Sequence, residues 1–235
     1  MGVSLMQIKK YGLKECEQIR GGAVVVDVIR AFTTAAYAFA AGAEKIVLAA
    51  TVEEVLEIQR SLPGALAMGE VGGMPVEGFA LWNSPVQLQH MDLSGKTLVQ
   101  RTSAGTQGAV RTQNATHMAV GSFVVASATV RLVRSWGVDS LGFVITGSEA
   151  NSGGDEDAAF ADYAQALLEG HAPDAQPYLQ RGLRWRESYA HLQDEWTERM
   201  LADLALCLEA DRFDFAMPVQ REDGLLVVRR TPPGW

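Results

Sequence analysis

Short apolar runs recur along this chain, each followed by a break and then a helix-forming stretch, and this alternation limits the fold more than any other feature. Residues 23–28 form a β-branched run suited to a buried strand, and residues 33–41 follow with helix-forming alanines that stop at Gly42. Residues 45–50 repeat the strand signal. Thr51 then stands as an N-cap, with Glu53 and Glu54 in the first turn of a helix that reaches Ser61 before Pro63-Gly64 breaks it. A third short strand is expected at 65–68, and further strands at 96–100, 117–120 and 139–146. Helices are expected at 106–115, from Ser122 to about Trp136, and at 155–169, where Ala159, Phe160, Tyr163, Ala164, Leu167 and Leu168 share one face. Strands alternating with helices imply an α/β fold whose largely parallel sheet is covered on both faces.

Beyond residue 171 the character changes. A linker at 172–177 leads into charged helical stretches at 178–192 and 194–210, and residues 213–230 read as two strands around Glu222-Asp223-Gly224, a hairpin signal. With 235 residues, 48% of them hydrophobic, one sizeable core and a single domain over 1–235 are expected.

The formal net charge of −8 argues against nucleic acid and anionic membranes as partners, because most of the surface repels them. An anionic ligand must therefore be held locally, by a metal, an arginine or a helix N-terminus. Cys16 and Cys207 are the two cysteines, with no Cys-x-x-Cys pair, so a structural zinc site or a redox dithiol is not expected. The first ten residues carry no signal-peptide pattern, and no run of about 18 apolar residues occurs, so a cytoplasmic location is expected. The charged helices at 178–210 offer a surface for a second copy of the chain.

In open α/β sheets ligands gather outside the carboxyl ends of the strands, so polar residues just after each strand are the candidates. Asp27 closes the first strand, Arg30 follows, and Thr33 and Thr34 open a helix whose amino end suits phosphate. A carboxylate at the end of a buried strand needs a partner, either a cation or Arg30 itself. Arg101-Thr102-Ser103-Ala104-Gly105-Thr106 joins a strand to a helix with small residues and hydroxyls that let an anion approach the backbone, or it is simply a turn. Gly153-Gly154-Asp155-Glu156-Asp157 opens another helix. Acids there complement the helix dipole, but three in a row exceed what capping needs, and a divalent cation relieves their repulsion. Glu70 opens the Gly- and Pro-rich stretch 69–85, which ends in Asn83-Ser84-Pro85. His90, His117, His171 and His191 form no metal-spaced pair, and the Walker P-loop, the Gly-x-Ser-x-Gly elbow and the dinucleotide fingerprint are absent.

Taken in order, Asp27-Val28-Ile29-Arg30-Ala31-x-Thr33-Thr34, Gly69-Glu70, Gly78-Phe79, Asn83-Ser84-Pro85, Gly95-Lys96, Thr102-x-x-Gly105-Thr106 and Glu156-Asp157 resemble the 2-phosphosulfolactate phosphatases, and Cys207, Asp211 and Val219 continue the likeness. It runs from about residue 20 to residue 230. The resemblance implies a three-layer α/β/α fold and magnesium-dependent hydrolysis of 2-phospho-3-sulfolactate to 3-sulfolactate and phosphate, a step toward coenzyme M. It implies a metal site drawn from Asp27, Glu70, Glu156 and Asp157, with Asp27, Arg30 and Glu70 in catalysis. A small anionic phosphorylated substrate is then expected at Arg30, Thr33, Thr34, Asn83, Ser84, Arg101, Thr102, Ser103, Gly105 and Thr106. Ala80, Trp82 and Ala104 depart from the family pattern in loops expected to line the pocket.

Overall fold

A computed structural model describes residues 6–147, 155–189, 195–232 and 234–235. Strand β1 (Gln7–Gly12) is followed by a 3₁₀ turn at Cys16–Gln18, β2 (Gly22–Val26), α1 (Ala31–Ala40), β3 (Lys45–Leu48), α2 (Val52–Ser61) and β4 (Leu66–Val71). The Gly- and Pro-rich stretch supplies β5 (Met74–Pro75), β6 (Leu81–Trp82) and the short α3 (Pro85–Leu88). Then come β7 (Thr97–Arg101), α4 (Gly105–Arg111), β8 (His117–Gly121), a 3₁₀ turn at Phe123–Val125, α5 (Ala126–Ser135), β9 (Ser140–Ile145), α6 (Asp155–Leu168), α7 (Gln176–Tyr189), α8 (Glu195–Cys207), β10 (Met217–Glu222) and β11 (Leu225–Val228).

The elements expected from the sequence are present, with shifted ends. The strand expected at 23–28 stops at Val26, so Asp27 lies in the turn that follows. Ser122 leads a 3₁₀ turn before α5 rather than one continuous helix, and the helix expected to reach residue 115 ends at Arg111. Residues 153, 154, 190–192 and 194 of the expected elements lie outside the described residues. Thr51 caps α2 as expected, its hydroxyl accepting from the Glu54 N–H at 3.1 Å. Strand β1 gave no apolar signal; it is a polar edge strand that pairs in parallel with β9.

The eleven strands among the described residues join one mixed sheet in the order β1-β9-β2-β8-β10-β11-β3-β7-β4-β5, with β6 beside β4. Two parallel groups, β1-β9-β2-β8 and β3-β7-β4-β6, are joined by the β10–β11 hairpin. The hairpin is therefore no appendage. It pairs antiparallel with β8 on one side and β3 on the other, so the two groups run in opposite senses.

Side chains alternate between the faces, as a period of two requires. In β2, Val24 and Val26 pack with Phe143, Phe160 and Val130 beneath α5 and α6, whereas Ala23 and Val25 pack toward α1. In the other group, Val47, Ala67 and Val99 pack with Val55 and Ile58 of α2, whereas Ile46, Met68 and Leu98 also face α1. Helix α1 thus touches one face of both groups, and every residue from Ala31 to Phe39 is buried. A helix apolar all round needs such enclosure. A right-handed sheet turns by roughly 20–25° per strand, which over the six steps from β2 to β4 comes to roughly 120–150°. That twist wraps the sheet around α1 and brings the carboxyl ends of both groups to its amino end. There Nε2 of Gln100, in β7, donates to the Ala31 carbonyl at 3.0 Å.

Gly69, in β4, pairs with Arg101 of β7 in a place that leaves no room for a side chain. Its φ is +142°, and a Cβ would fall 1.8 Å from the Arg101 carbonyl oxygen. Gly69→Ala is expected to destabilise the protein by about 2 kcal/mol or more. Urea unfolding with an unchanged midpoint would contradict this packing.

Candidate active site at the amino end of the buried helix

Strand β2 ends on Asp27, which is buried and turns the chain into α1. Its Oδ1 accepts from the Ala31 N–H at 3.0 Å, and its carbonyl accepts from Phe32 N–H at 3.1 Å. Asp27 therefore caps the helix whose amino end was expected to receive phosphate. The Ile29–Arg30 peptide between them is cis. Across from Asp27 stands Gly105, the first residue of α4. A Cβ at that position would sit 2.7 Å from Oδ2 of Asp27, so only glycine lets the two segments meet this closely.

Other carboxylates converge on Asp27 from two elements, α6 and β4. Asp157, in the first turn of α6, is 2% exposed and receives four hydrogen bonds. Val28 N–H donates to Oδ1 at 2.8 Å, and Gly147 N–H, Thr146 N–H and the Thr146 hydroxyl donate to Oδ2 at 3.0, 3.2 and 3.3 Å. These bonds tie the turn after β2 to the end of β9. Glu156 is buried beside it. Asp155 points elsewhere and pairs with Arg181 and Arg184 of α7, so the acidic triplet divides its work. Glu70, in β4, accepts from Ser103 N–H at 2.5 Å, Gly73 N–H at 2.6 Å and the Ser103 hydroxyl at 3.1 Å.

The electrostatics follow from this crowding. Burial, then repulsion from Glu70 and Glu156, pushes the Asp27 carboxyl up to about 7, although N–H groups of Ala31 and Gly105 pull the other way. Burial, then Glu156 and Asp27, raises Asp157 well above the usual carboxylate range. Acids that raise one another call for a positive counter-charge, and an all-oxygen set suits magnesium or manganese. Asn83 follows β6, whose Trp82 pairs with Gly69, so it lies beside Glu70; its Oδ1 is buried without a hydrogen-bond partner. Among the described residues, no three of the His, Cys, Asp and Glu side chains stand in a ready-made ligand cluster.

The remaining expected residues divide between the site and its scaffold. The Thr33 hydroxyl donates to the Val28 carbonyl at 2.8 Å, and Oγ1 of Thr34 is buried without a partner. Thr102 and Thr106 cap each other: each backbone N–H meets the other's hydroxyl, at 2.8 and 3.0 Å. Arg101 extends over β4, Nη1 reaching the Glu70 carbonyl at 2.7 Å and Nε the Ala50 carbonyl at 3.4 Å. Arg30 pairs with Asp203 of α8, Nη1 to Oδ2 at 2.6 Å. Sequence reasoning missed Asp203. Its signal was one acid inside the apolar run Met200-Leu201-Ala202-Asp203-Leu204-Ala205-Leu206. Cys207 lies near by, but burial pushes its thiol up, away from the nucleophilic thiolate.

The model of the family described as 2-phosphosulpholactate phosphatase matches residues 8–222. The chain belongs to the 2-phosphosulfolactate phosphatase family. It is 30% identical over 210 residues to a probable 2-phosphosulfolactate phosphatase of Bacillus subtilis, covering 88% of this chain and 90% of that one. A protein of the same description from Caldicellulosiruptor saccharolyticus is 30% identical over 212 residues, 82% of this chain and 86% of its own. One from Deinococcus radiodurans is 34% identical over 147 residues, 62% and 61% of the two chains. In this member of the 2-phosphosulfolactate phosphatase family, the span matched contains every candidate residue named above. No helix among the described residues is long and apolar enough to cross a membrane.

A carboxyl that holds its proton to about pH 7 when folded releases it near 4 when unfolded, so the folded state binds more protons across that window. Stability from Asp27 is full below the window and is lost as pH rises through it. In chelator-treated protein, Asp27→Asn is expected to raise the melting temperature by several degrees at pH 8 and to leave it nearly unchanged at pH 4.5. Parallel pH profiles for the two proteins would refute the burial of an ionisable Asp27.

Proposed function

We propose that this chain hydrolyses a small phosphate monoester with the help of a divalent cation, magnesium by its oxygen donors, and that by family the ester is 2-phospho-3-sulfolactate. The observation that carries this reading is the buried group Asp27, Glu70, Glu156 and Asp157, in which burial first, and then mutual repulsion, raises Asp27 and Asp157. No three of these acids meet in a ligand cluster among the described residues, so Asp27, with Glu156 or Glu70 beside it, would hold the cation together with substrate oxygens. Asp157, with its oxygens already accepting four hydrogen bonds, contributes charge and fixes the Asp27 turn. A cation there offsets the carboxylate charge and polarises the phosphoryl oxygens.

The chain's own groups do the rest. Arg30 meets the anionic phosphoryl oxygens, where a positioned donor has its greatest effect as charge redistributes in the transition state. Ser103, the backbone near Gly105 and the Asn83-Ser84 turn would supply the remaining polar contacts to the substrate. Thr33, Thr102 and Thr106 act mainly by shaping these turns, and the Thr34 hydroxyl, without a partner, is left for the substrate. Water attacks phosphorus, the bond to the ester oxygen breaks, and the hydroxy acid leaves. An aspartyl-phosphate route through Asp27 is less favoured, because the Asp-x-Asp-x-Thr signature of the haloacid dehalogenase phosphatases is absent.

A second reading keeps the reaction and changes the ester. A cavity of about 260 Å³ beside Arg30 is walled by Trp82, Ser84, Val86, Gln87, Arg199, Met200 and Asp203. Trp82 stands where the family commonly has glycine, and the Arg199 guanidinium lies 5.1 Å from its ring centroid. Those walls depart from the family pattern in a loop expected to line the pocket, so the ester is another small phospho-acid on this reading.

Phosphate release from a panel of phosphorylated hydroxy acids, 2-phospho-3-sulfolactate among them, tests both. Turnover is expected to require magnesium or manganese and to vanish with chelator. Asp27→Asn is expected to lower kcat by about 10³-fold or more while the protein stays folded. A fully active Asp27→Asn enzyme would remove the assignment, and ligand binding without turnover on any ester would mark a metabolite-binding protein instead.

A further inference from the structure

The buried carboxylate of Asp203 has no part in the chemistry above, yet it joins three segments distant in the chain. Its Oδ2 accepts from Arg30 at 2.6 Å, and its Oδ1 accepts from the Ser84 hydroxyl at 2.7 Å and the Val86 N–H at 3.1 Å. Arg30 is 8% exposed and Asp203 1% at their side chains. Burying such a pair gains little stability over an apolar one, because desolvation offsets the attraction. What the pair does supply is direction, since a guanidinium otherwise samples many rotamers. Arg30 and Asp203 also share the wall of the cavity beside the site.

We propose that Asp203 is the positioning residue for Arg30: from α8 it aims the guanidinium at the phosphoryl-binding space and locks the Asn83-Ser84-Pro85 turn against it. This rests on Arg30 meeting phosphate in the proposed phosphatase. The alternative role, neutralising a buried charge, gives the opposite sign. Removing a competing carboxylate would leave Arg30 more attractive to an anion, whereas removing its guide leaves it misaimed.

Calorimetric binding of inorganic phosphate to the magnesium-saturated full chain separates the two, alongside kcat on the best ester of the panel. Asp203→Asn keeps an acceptor for Ser84 and Val86 but loses the charge that orients Arg30. It is expected to weaken phosphate binding about 10-fold and to lower kcat up to about 100-fold, the scale of an ångström of misplacement. Arg30→Lys alone is expected to be as impaired as the double variant, because both changes remove one interaction. Asp203→Glu, which keeps the charge but moves it by one methylene, is expected to move both quantities in the same direction and serves if Asp203→Asn does not fold. Unchanged or tighter phosphate binding in the variants, or effects that multiply with Arg30→Lys, would overturn the proposal. Absence of phosphate binding by the parent protein would overturn it too. Phosphate binding that weakens as expected in a parent without turnover would sustain the positioning role and sink the phosphatase reading.

Discussion

Repulsion among buried carboxylates is the constraint around which the amino end of α1 is organised. An ionised acid removed from water is costly, and here Asp27, Glu156 and Asp157 are removed together, with Glu70 beside them. The protein answers with backbone donors. Asp157 accepts from three N–H groups and a hydroxyl, Glu70 from two N–H groups and a hydroxyl, and Asp27 from Ala31. Even so, Asp27 remains raised to about 7. Hydrogen bonds of this kind favour the ionised form, yet burial, and then repulsion from Glu70 and Glu156, outweighs them. A core built for stability alone has no use for such an arrangement, which is why the proposed function gives it a cation.

The sheet makes the convergence possible. Its two parallel groups run in opposite senses, which in a flat sheet would send their carboxyl ends to opposite edges. Twist around α1 turns them back toward one another, and the β10–β11 hairpin supplies the antiparallel joint between the groups. The hairpin's position thus decides where Glu70 of β4 lies relative to Asp27 after β2. Close backbone approaches complete the assembly: Gly69 against Arg101, and Gly105 against Asp27.

Much of this was legible in the sequence, and the reasons for what was not are physical. Strands β2, β3, β7 and β9 and helices α2 and α6 announce themselves by β-branched runs, an N-cap and a one-sided apolar face. Strand β1, Gln7–Gly12, is a polar edge strand, stabilised by pairing with β9 rather than by burial, so no local pattern marks it. The hairpin's turn was readable at Asp223-Gly224, but its place in mid-sheet depends on partners more than 90 residues away, such as Val120 opposite Met217. Within the site, Asp27, Glu70, Glu156 and Asp157 stood out as acids after strands or at a helix start. The use of Thr33, Thr102 and Thr106 as local caps did not, because a hydroxyl aimed at backbone and one aimed at a ligand look alike in sequence. Asp203 was hidden for another reason: its partners, Arg30 and Ser84, are 173 and 119 residues distant.

That distance bears on how the site is put together. Asp27, Arg30, Glu70 and the 101–106 loop all come from the strand ends of the sheet, whereas Asp203 and Cys207 arrive on α8, after the last strand of the parallel groups. Helix α8 packs its carboxylate onto Arg30 and its thiol close to Thr33. The first turn of α1 is therefore gripped from the sheet by Asp27 and from α8 by Asp203. A carboxylate cluster alone would repel a phosphate ester. With Arg30 held by Asp203, the acidic group and the cationic one are kept apart, the separation of charge that the proposed phosphatase needs, with a cation on one side of the ester and a guanidinium on the other.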